Sequence, residues 1–194
     1  MFRNINITKI LILNLIAIAF SGLAYAGDKD KQEDPLFVFK DAYKKTNDIA
    51  LTHNKIVGLT KDVAIIVMPE VKYEQSPELY TVLIEIDRPE VKALKQTERD
   101  KLFYTCLNLN QSIIELTKMA DEVIDLKDKI EDDTLMVAID TTITYYNEEK
   151  GALEDLEDKA KDIMSWLIEL APKQYQNFNS KKLVISNDMF DIQG

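Results

Sequence analysis

The side chains best suited to acid–base or nucleophilic chemistry are His53, the one histidine of the chain, and Cys106, its one cysteine. A catalytic zinc site takes three protein ligands, usually several of them histidines. A di-iron bundle needs paired Glu-x-x-His motifs, and an attached haem needs Cys-x-x-Cys-His. Neither motif occurs here, so the sequence predicts no cofactor and no metal site.

A dyad of Cys106 and His53 is the remaining nucleophilic arrangement. A reactive cysteine needs a lowered pKa, solvent access and a site that stabilises an oxyanion. Both residues fall on apolar stripes of predicted helices, where none of these is supplied. We therefore interpret Cys106 as a buried small hydrophobe and His53 as a hydrogen-bonded core residue, and we predict no catalytic residue.

Three polar residues, Thr142, Tyr146 and Glu149, fall on the core stripe of the last predicted helix, next to Tyr145. A polar layer inside a helical bundle either fixes helix register or lines a ligand cavity. These three are therefore the candidate ligand-binding residues. A closed cavity of about 300 Å³ lined by them would indicate a small-molecule carrier. A stripe that shifts at Gly151 would instead leave Glu149 exposed.

Acidic residues gather near the turn at 125–133 and along the last helix, at 154–162. Lysines interleave with them at helical spacing, which is typical of a solvated helix face. The EF-hand pattern with its central glycine is missing. The chain has only 5 glycines, and none of them forms a phosphate-binding loop.

Apolar residues recur at alternating spacings of three and four, which predicts long helices over residues 34–68, 97–130 and 134–170. Residues 79–86 alternate as a strand would, but the chain offers only one weak partner strand, so we favour a helix over 77–95, with a break at 87–89. The fold class expected is all-α: an antiparallel up-and-down bundle of three to four long helices after a cleaved signal peptide.

The clearest stripe belongs to the second long helix, where residues on one side widen it enough to pack against two neighbours rather than one. It consists of Leu102, Cys106, Leu109, Ile113, Leu116, Ala120 and Val123. Thr97 with Asp100 resembles a capping box at the start of this helix. Gly58 and Gly151 are positions where the other two long helices are free to bend.

Residues 1–26 have the three-part pattern of a secretory signal peptide: a basic start, an apolar run, and small residues before a polar stretch. Ala24 and Ala26 occupy the positions that a signal peptidase reads, so cleavage is expected before Gly27. The remaining organisation is an acidic leader over 27–34, a helical domain over 35–171, and a C-terminal tail over 172–194 with two short apolar groups able to dock on the bundle.

The net charge of −10 becomes −12 once the leader peptide with Arg3 and Lys9 is removed. So acidic a chain is repelled by nucleic acid and anionic lipid, and no stable membrane insertion is expected after cleavage. We expect an exported protein, periplasmic or secreted, that is not an enzyme and binds a protein partner. The alternatives are a small-ligand carrier and an enzyme with an unrecognised site. The sequence leaves self-association open.

Overall fold

A computed structural model describes residues 35–70, 76–130 and 132–175. Within these ranges the protein is all-helical and has no strand, as predicted. Five helices follow one another: α1 (Pro35–Val67), α2 (Ser76–Glu85), α3 (Arg88–Ala93), α4 (Gln96–Lys127) and α5 (Asp133–Leu170). The signal peptide, the acidic leader and the tail beyond Tyr175 lie outside the described residues.

The helix predicted over residues 77–95 is divided into α2 and α3, with the break at Ile86 and Asp87. Helix rather than strand is therefore the correct interpretation of residues 79–86. The division has a local cause: the Glu90 carboxylate accepts the backbone N–H of Asp87 at 2.7 Å, which starts a new helix there. Pro89 follows within the first turn of α3, where its missing N–H costs nothing.

The expected capping box of Thr97 and Asp100 at the start of α4 is wrong. The helix starts at Gln96, and the Glu98 carboxylate accepts the backbone N–H of Lys95 at 2.8 Å. At α5 the residue that precedes the helix caps it, because Asp132 Oδ1 accepts the N–H of Leu135 at 2.8 Å. This is the standard side-chain cap of a helix N-terminus.

The described residues divide into two compact units, the first made of 35–55 and 112–151, the second of 56–111 and 152–175. In the first unit, segments of α1, α4 and α5 bury one another's apolar stripes. Lys45 of α1 forms an ion pair with Glu122 of α4. This contact raises the pKa of Lys45 and lowers that of Glu122, since each charge favours the other. The buried hydrophobic residues of this unit are Val38, Ala42, Ile49, Ile113, Leu116, Ala120, Val123, Ile130, Leu135, Ile139 and Tyr146.

The second unit adds α2 and α3 to segments of α1, α4 and α5. Lys159 of α5 donates to the carbonyl oxygen of Ile86 at 3.0 Å, which satisfies an acceptor left free just beyond the end of α2. The Lys159 ammonium also lies 5.5 Å from the ring centroid of Trp166. The largest fully buried side chains of this unit are Ile56, Leu83, Ile86, Leu102, Phe103, Leu109, Leu156, Ile163, Met164 and Leu167.

One buried polar residue in this core, Asn110, is unsatisfied. Its side chain is fully buried, and neither its Nδ2 nor its Oδ1 makes a hydrogen bond with the described residues. Leaving such a group unpaired costs on the order of 1–3 kcal/mol. Asn110 therefore lowers the stability of the unit that contains it.

Just after α5 the chain turns back onto the start of α4, and Asp100 holds it there. Asp100 Oδ1 accepts hydrogen bonds from the Tyr175 hydroxyl at 2.6 Å, from Gln96 Nε2 at 3.0 Å and from Gln174 Nε2. The Tyr175 ring is stacked on Phe103, with centroids 4.4 Å apart. We call these contacts the Asp100 clasp. The first residues of the predicted tail are thus docked.

Gly58 and Gly151 lie inside α1 and α5, which continue through both positions. A Cβ built at either glycine meets no atom within 4 Å, so a methyl group fits at both sites.

We expect Gly58→Ala and Gly151→Ala each to raise the free energy of unfolding by about 0.5–1 kcal/mol, because alanine loses less backbone entropy than glycine in a helix. Urea denaturation followed by circular dichroism measures the change. A decrease at either position would show that the glycine serves some other conformation of the helix.

The Asp100 clasp predicts an alkaline loss of stability. Burial, followed by the hydrogen bond to Asp100, raises the pKa of Tyr175 in the folded state. The stabilisation is therefore complete below the unfolded tyrosine pKa of about 10 and is lost as the pH rises above it.

We expect Tyr175→Phe to cost about 1.5 kcal/mol at neutral pH, as for a hydrogen bond to a charged group, and less above about pH 10. Urea denaturation between neutral and alkaline pH tests this. Tyr104→Phe is the matched control, because the Tyr104 ring is 55% exposed in the same unit. Equal pH profiles for the two variants would contradict the assignment.

Candidate functional site

Two of the three candidate ligand-binding residues, Thr142 and Tyr146, are buried in the first unit. The Thr142 hydroxyl donates to the carbonyl oxygen of Ala138 in its own helix, at 2.9 Å. Tyr146 is 3% exposed and packs with the apolar core. Both side chains therefore act in helix packing.

The third candidate, Glu149, belongs to a polar group that joins α1 to α5. His53 Nε2 lies 2.7 Å from the Tyr145 hydroxyl and 3.7 Å from Glu149 Oε2. The two rings meet edge to face, with centroids 5.1 Å apart. We call these three residues the His53 cluster. The predicted core histidine is thus buried and hydrogen-bonded, and its partners come from the α5 positions singled out in the sequence.

The core stripe of α5 does not shift at Gly151, so Glu149 stays turned inward. Its side chain is 23% exposed, and Oε2 is buried without a hydrogen bond to a described residue. A buried carboxylate oxygen is costly unless it has a compensating partner, and the imidazole edge of His53 is the nearest one. The imidazole takes either role toward the Tyr145 hydroxyl, depending on its tautomer.

The geometry of the His53 cluster favours a structural role over acid–base catalysis. The His53 side chain is only 9% exposed, which leaves little room for a substrate beside the ring. The cluster instead supplies α1 and α5 with one specific polar contact within an otherwise apolar core. Such a contact fixes the rotation and axial position of one helix against another.

Cys106 is fully buried, as expected, and it lies in the second unit while His53 lies in the first. Burial in an apolar environment raises the pKa of its thiol far above the ordinary value. A thiol that stays protonated is a poor nucleophile. The residue therefore serves as core packing.

Sequence reasoning did not identify an open depression on α5, which lies in the first unit beside the His53 cluster. It has a volume of about 350 Å³ and is lined by Val137, Asp140, Thr141, Thr144, Tyr145 and Glu148. Four of these residues lie on one face of the helix, because they are separated by four, three and four residues: Val137, Thr141, Thr144 and Glu148. The sequence signal that could have identified the depression is Val137, an apolar residue outside the predicted core stripe. In the structure its side chain is 56% exposed.

The acidic runs do not form a recognisable cation site within the described part of the chain, where no group of three potential metal ligands converges. Two acids of the second run pair with a lysine instead: Lys161 lies 2.6 Å from Glu157 and 3.4 Å from Asp158. Lys127, within the first run, lies 2.6 Å from Asp140, which is outside both runs. The alternation of acids and lysines in these runs is therefore explained by ion pairs on helix surfaces.

The His53 cluster predicts unequal effects for two neighbouring tyrosines. We expect Tyr145→Phe to lower the free energy of unfolding by about 1 kcal/mol, because it removes a hydrogen bond from a buried imidazole. Tyr146→Phe is the matched control, since its hydroxyl makes no hydrogen bond with the described residues, and we expect a change below about 0.5 kcal/mol. Thermal or urea denaturation measures both, and equal losses would contradict the assignment of the cluster.

Comparison of the chain with protein-family models, with curated proteins and with solved structures gave no match. The site must therefore be interpreted from its own geometry.

Proposed function

We propose that this protein is an exported, non-enzymatic helical-bundle protein that binds a protein partner in the cell envelope or the extracellular space. In this proposal residues 1–26 direct export, and α1, α4 and α5 form the up-and-down bundle. The short link between α4 and α5 supports an antiparallel pair, since such links join neighbouring helices in bundles. Binding uses outward-facing positions of the first unit.

The observation that carries the proposal is the exposure of two large apolar side chains on α1. Phe37 is 63% exposed and Leu51 is 59% exposed, although the inner stripe of the same helix is buried. They are two heptads apart, so they lie on the same face. These side chains contribute little to the core. They lie about 21 Å apart along the helix, with the Lys44–Asp48 ion pair between them, so each would give a partner a separate apolar contact on a polar helix face.

The charge of the chain limits the partner. With a net charge of −10 it repels nucleic acid and anionic lipid, which supports a neutral or basic protein as the partner. None of the described helices is both long enough and apolar enough to cross a membrane.

The two alternatives have less support. A carrier pocket was expected to be closed and lined by Thr142, Tyr146 and Glu149, whereas the depression on α5 is open and contains none of them. An enzyme built on Cys106 would need an accessible thiolate, and that thiol is buried with a raised pKa.

The proposal is tested with the exported form as bait. The full chain is expressed in an export-competent host, and the recovered protein is expected to begin at Gly27 by mass measurement. It is then used to capture partners from envelope and extracellular fractions. We expect Leu51→Glu to weaken the capture about tenfold or more, as for a central apolar contact, without loss of helicity.

Asn147→Glu is the matched control, because it adds the same charge at an exposed position of α5 in the same unit. We expect it to retain the partner. Retention of the full-length precursor in the cytoplasm would overturn the export proposal. Equal capture by the Leu51→Glu variant would overturn the assignment of the binding surface.

A further inference from the structure

The open depression on α5 combines three kinds of surface within about three helical turns. Val137 and the methyl groups of Thr141 and Thr144 supply apolar contact. The Tyr145 ring supplies an aromatic wall, and its hydroxyl is already engaged by His53 at 2.7 Å. Asp140 and Glu148 supply negative charge at positions about 12 Å apart along the helix.

The two carboxylates are not equivalent. Asp140 is paired with Lys127 at 2.6 Å, whereas Glu148 is exposed and has no ion pair with the described residues. Across the α5 part of the first unit there are four carboxylates (Asp133, Asp140, Glu148 and Glu149) against one lysine, Lys150. The free charge at the depression is therefore negative and is centred on Glu148.

This combination matches the side chain of lysine or arginine. Such a side chain has an aliphatic stem that packs on apolar surface and a cationic end that binds a carboxylate or the face of an aromatic ring. A neutral or acidic segment would leave Glu148 unpaired. Electrostatic complementarity at an interface selects partners in this way.

We infer that the depression of Val137, Thr144, Tyr145 and Glu148 is a docking site for a basic, partly apolar segment of a partner protein, with a lysine or arginine side chain paired to Glu148. This inference rests on the proposed function and specifies the partner's chemistry. The apolar positions of the segment contact Val137, and its cation lies between Glu148 and the Tyr145 ring.

The probe for the test is a short fluorescently labelled peptide of lysine, leucine and alanine. Its binding to the purified full chain is followed by fluorescence anisotropy at about 0.15 M salt, where charges more than about 8 Å apart are largely screened. We expect saturable binding that Glu148→Lys weakens about tenfold. We expect Val137→Ser, which leaves the charge unchanged, to weaken it about threefold.

Asp121→Lys is the matched control, because it makes the same charge change at an exposed position of α4 in the first unit. We expect it to alter the dissociation constant by less than about twofold, since it lies outside the depression. An analogous peptide with glutamate in place of lysine is expected not to bind.

Equal weakening by Glu148→Lys and Asp121→Lys would overturn the inference, because it would show attraction to the overall charge only. Absence of saturable binding would overturn it as well. The bait experiment separates this failure from that of the proposed function: a partner lost with Leu51→Glu and kept with Glu148→Lys would leave the proposed function intact and reject the α5 site.

Discussion

The buried apolar stripe of α4 is the constraint on which the rest of the structure depends. All seven of its predicted residues, from Leu102 to Val123, are buried, and no residue of the stripe is more than 2% exposed. The stripe contributes to the cores of both units. With a single cysteine the chain has no internal disulfide, so apolar burial must supply most of the stability. A cavity created at any position of this stripe would therefore lower the stability of the unit that contains it.

Polar groups inside these cores fix the register between helices, which apolar packing alone specifies only weakly. Apolar stripes of leucine, isoleucine and alanine tolerate sliding and rotation of one helix against another. His53 and Tyr145 restrict this freedom in the first unit through a contact that exists in one register only. Asn110 has no such partner in the second unit. Asn110 therefore adds a cost to its unit without specifying a register, since neither polar atom of its side chain bonds to a described residue.

The helices were predictable from the sequence because their apolar residues repeat at helical spacing over many turns. The α4 stripe is correct at every position. In α1 the residues at alternating spacings of four and three from Ala42 to Val63 are all buried, as the predicted periodicity requires. The break at Asp87 was indicated by Pro89. The start of α4 was misjudged, because Thr97 and Asp100 have the local pattern of a cap, and only tertiary structure reveals that Asp100 binds Tyr175.

The candidate site was predictable only in part. The stripe placed Glu149 and Tyr145 near a polar layer, but it could not show that His53 of another helix would meet them, because pairing between helices depends on register. The Thr142 hydroxyl bonds to a carbonyl oxygen of its own helix. Residue spacing alone cannot distinguish such a threonine from one that binds a ligand. The α5 depression escaped detection because it is made by residues turned away from the core, where sequence constraints are weak.

The Asp100 clasp has a consequence for the order in which the chain folds. Tyr175 and Asp100 are 75 residues apart in sequence, so their hydrogen bond closes a long loop. Long-range contacts of this kind form after local helix formation, because the loop entropy must first be offset by other packing. The first turn of α4 should thus fray until Gln174 and Tyr175 have docked on Asp100. A protein truncated before Gln174 would lose order at α4, far from the cut in sequence.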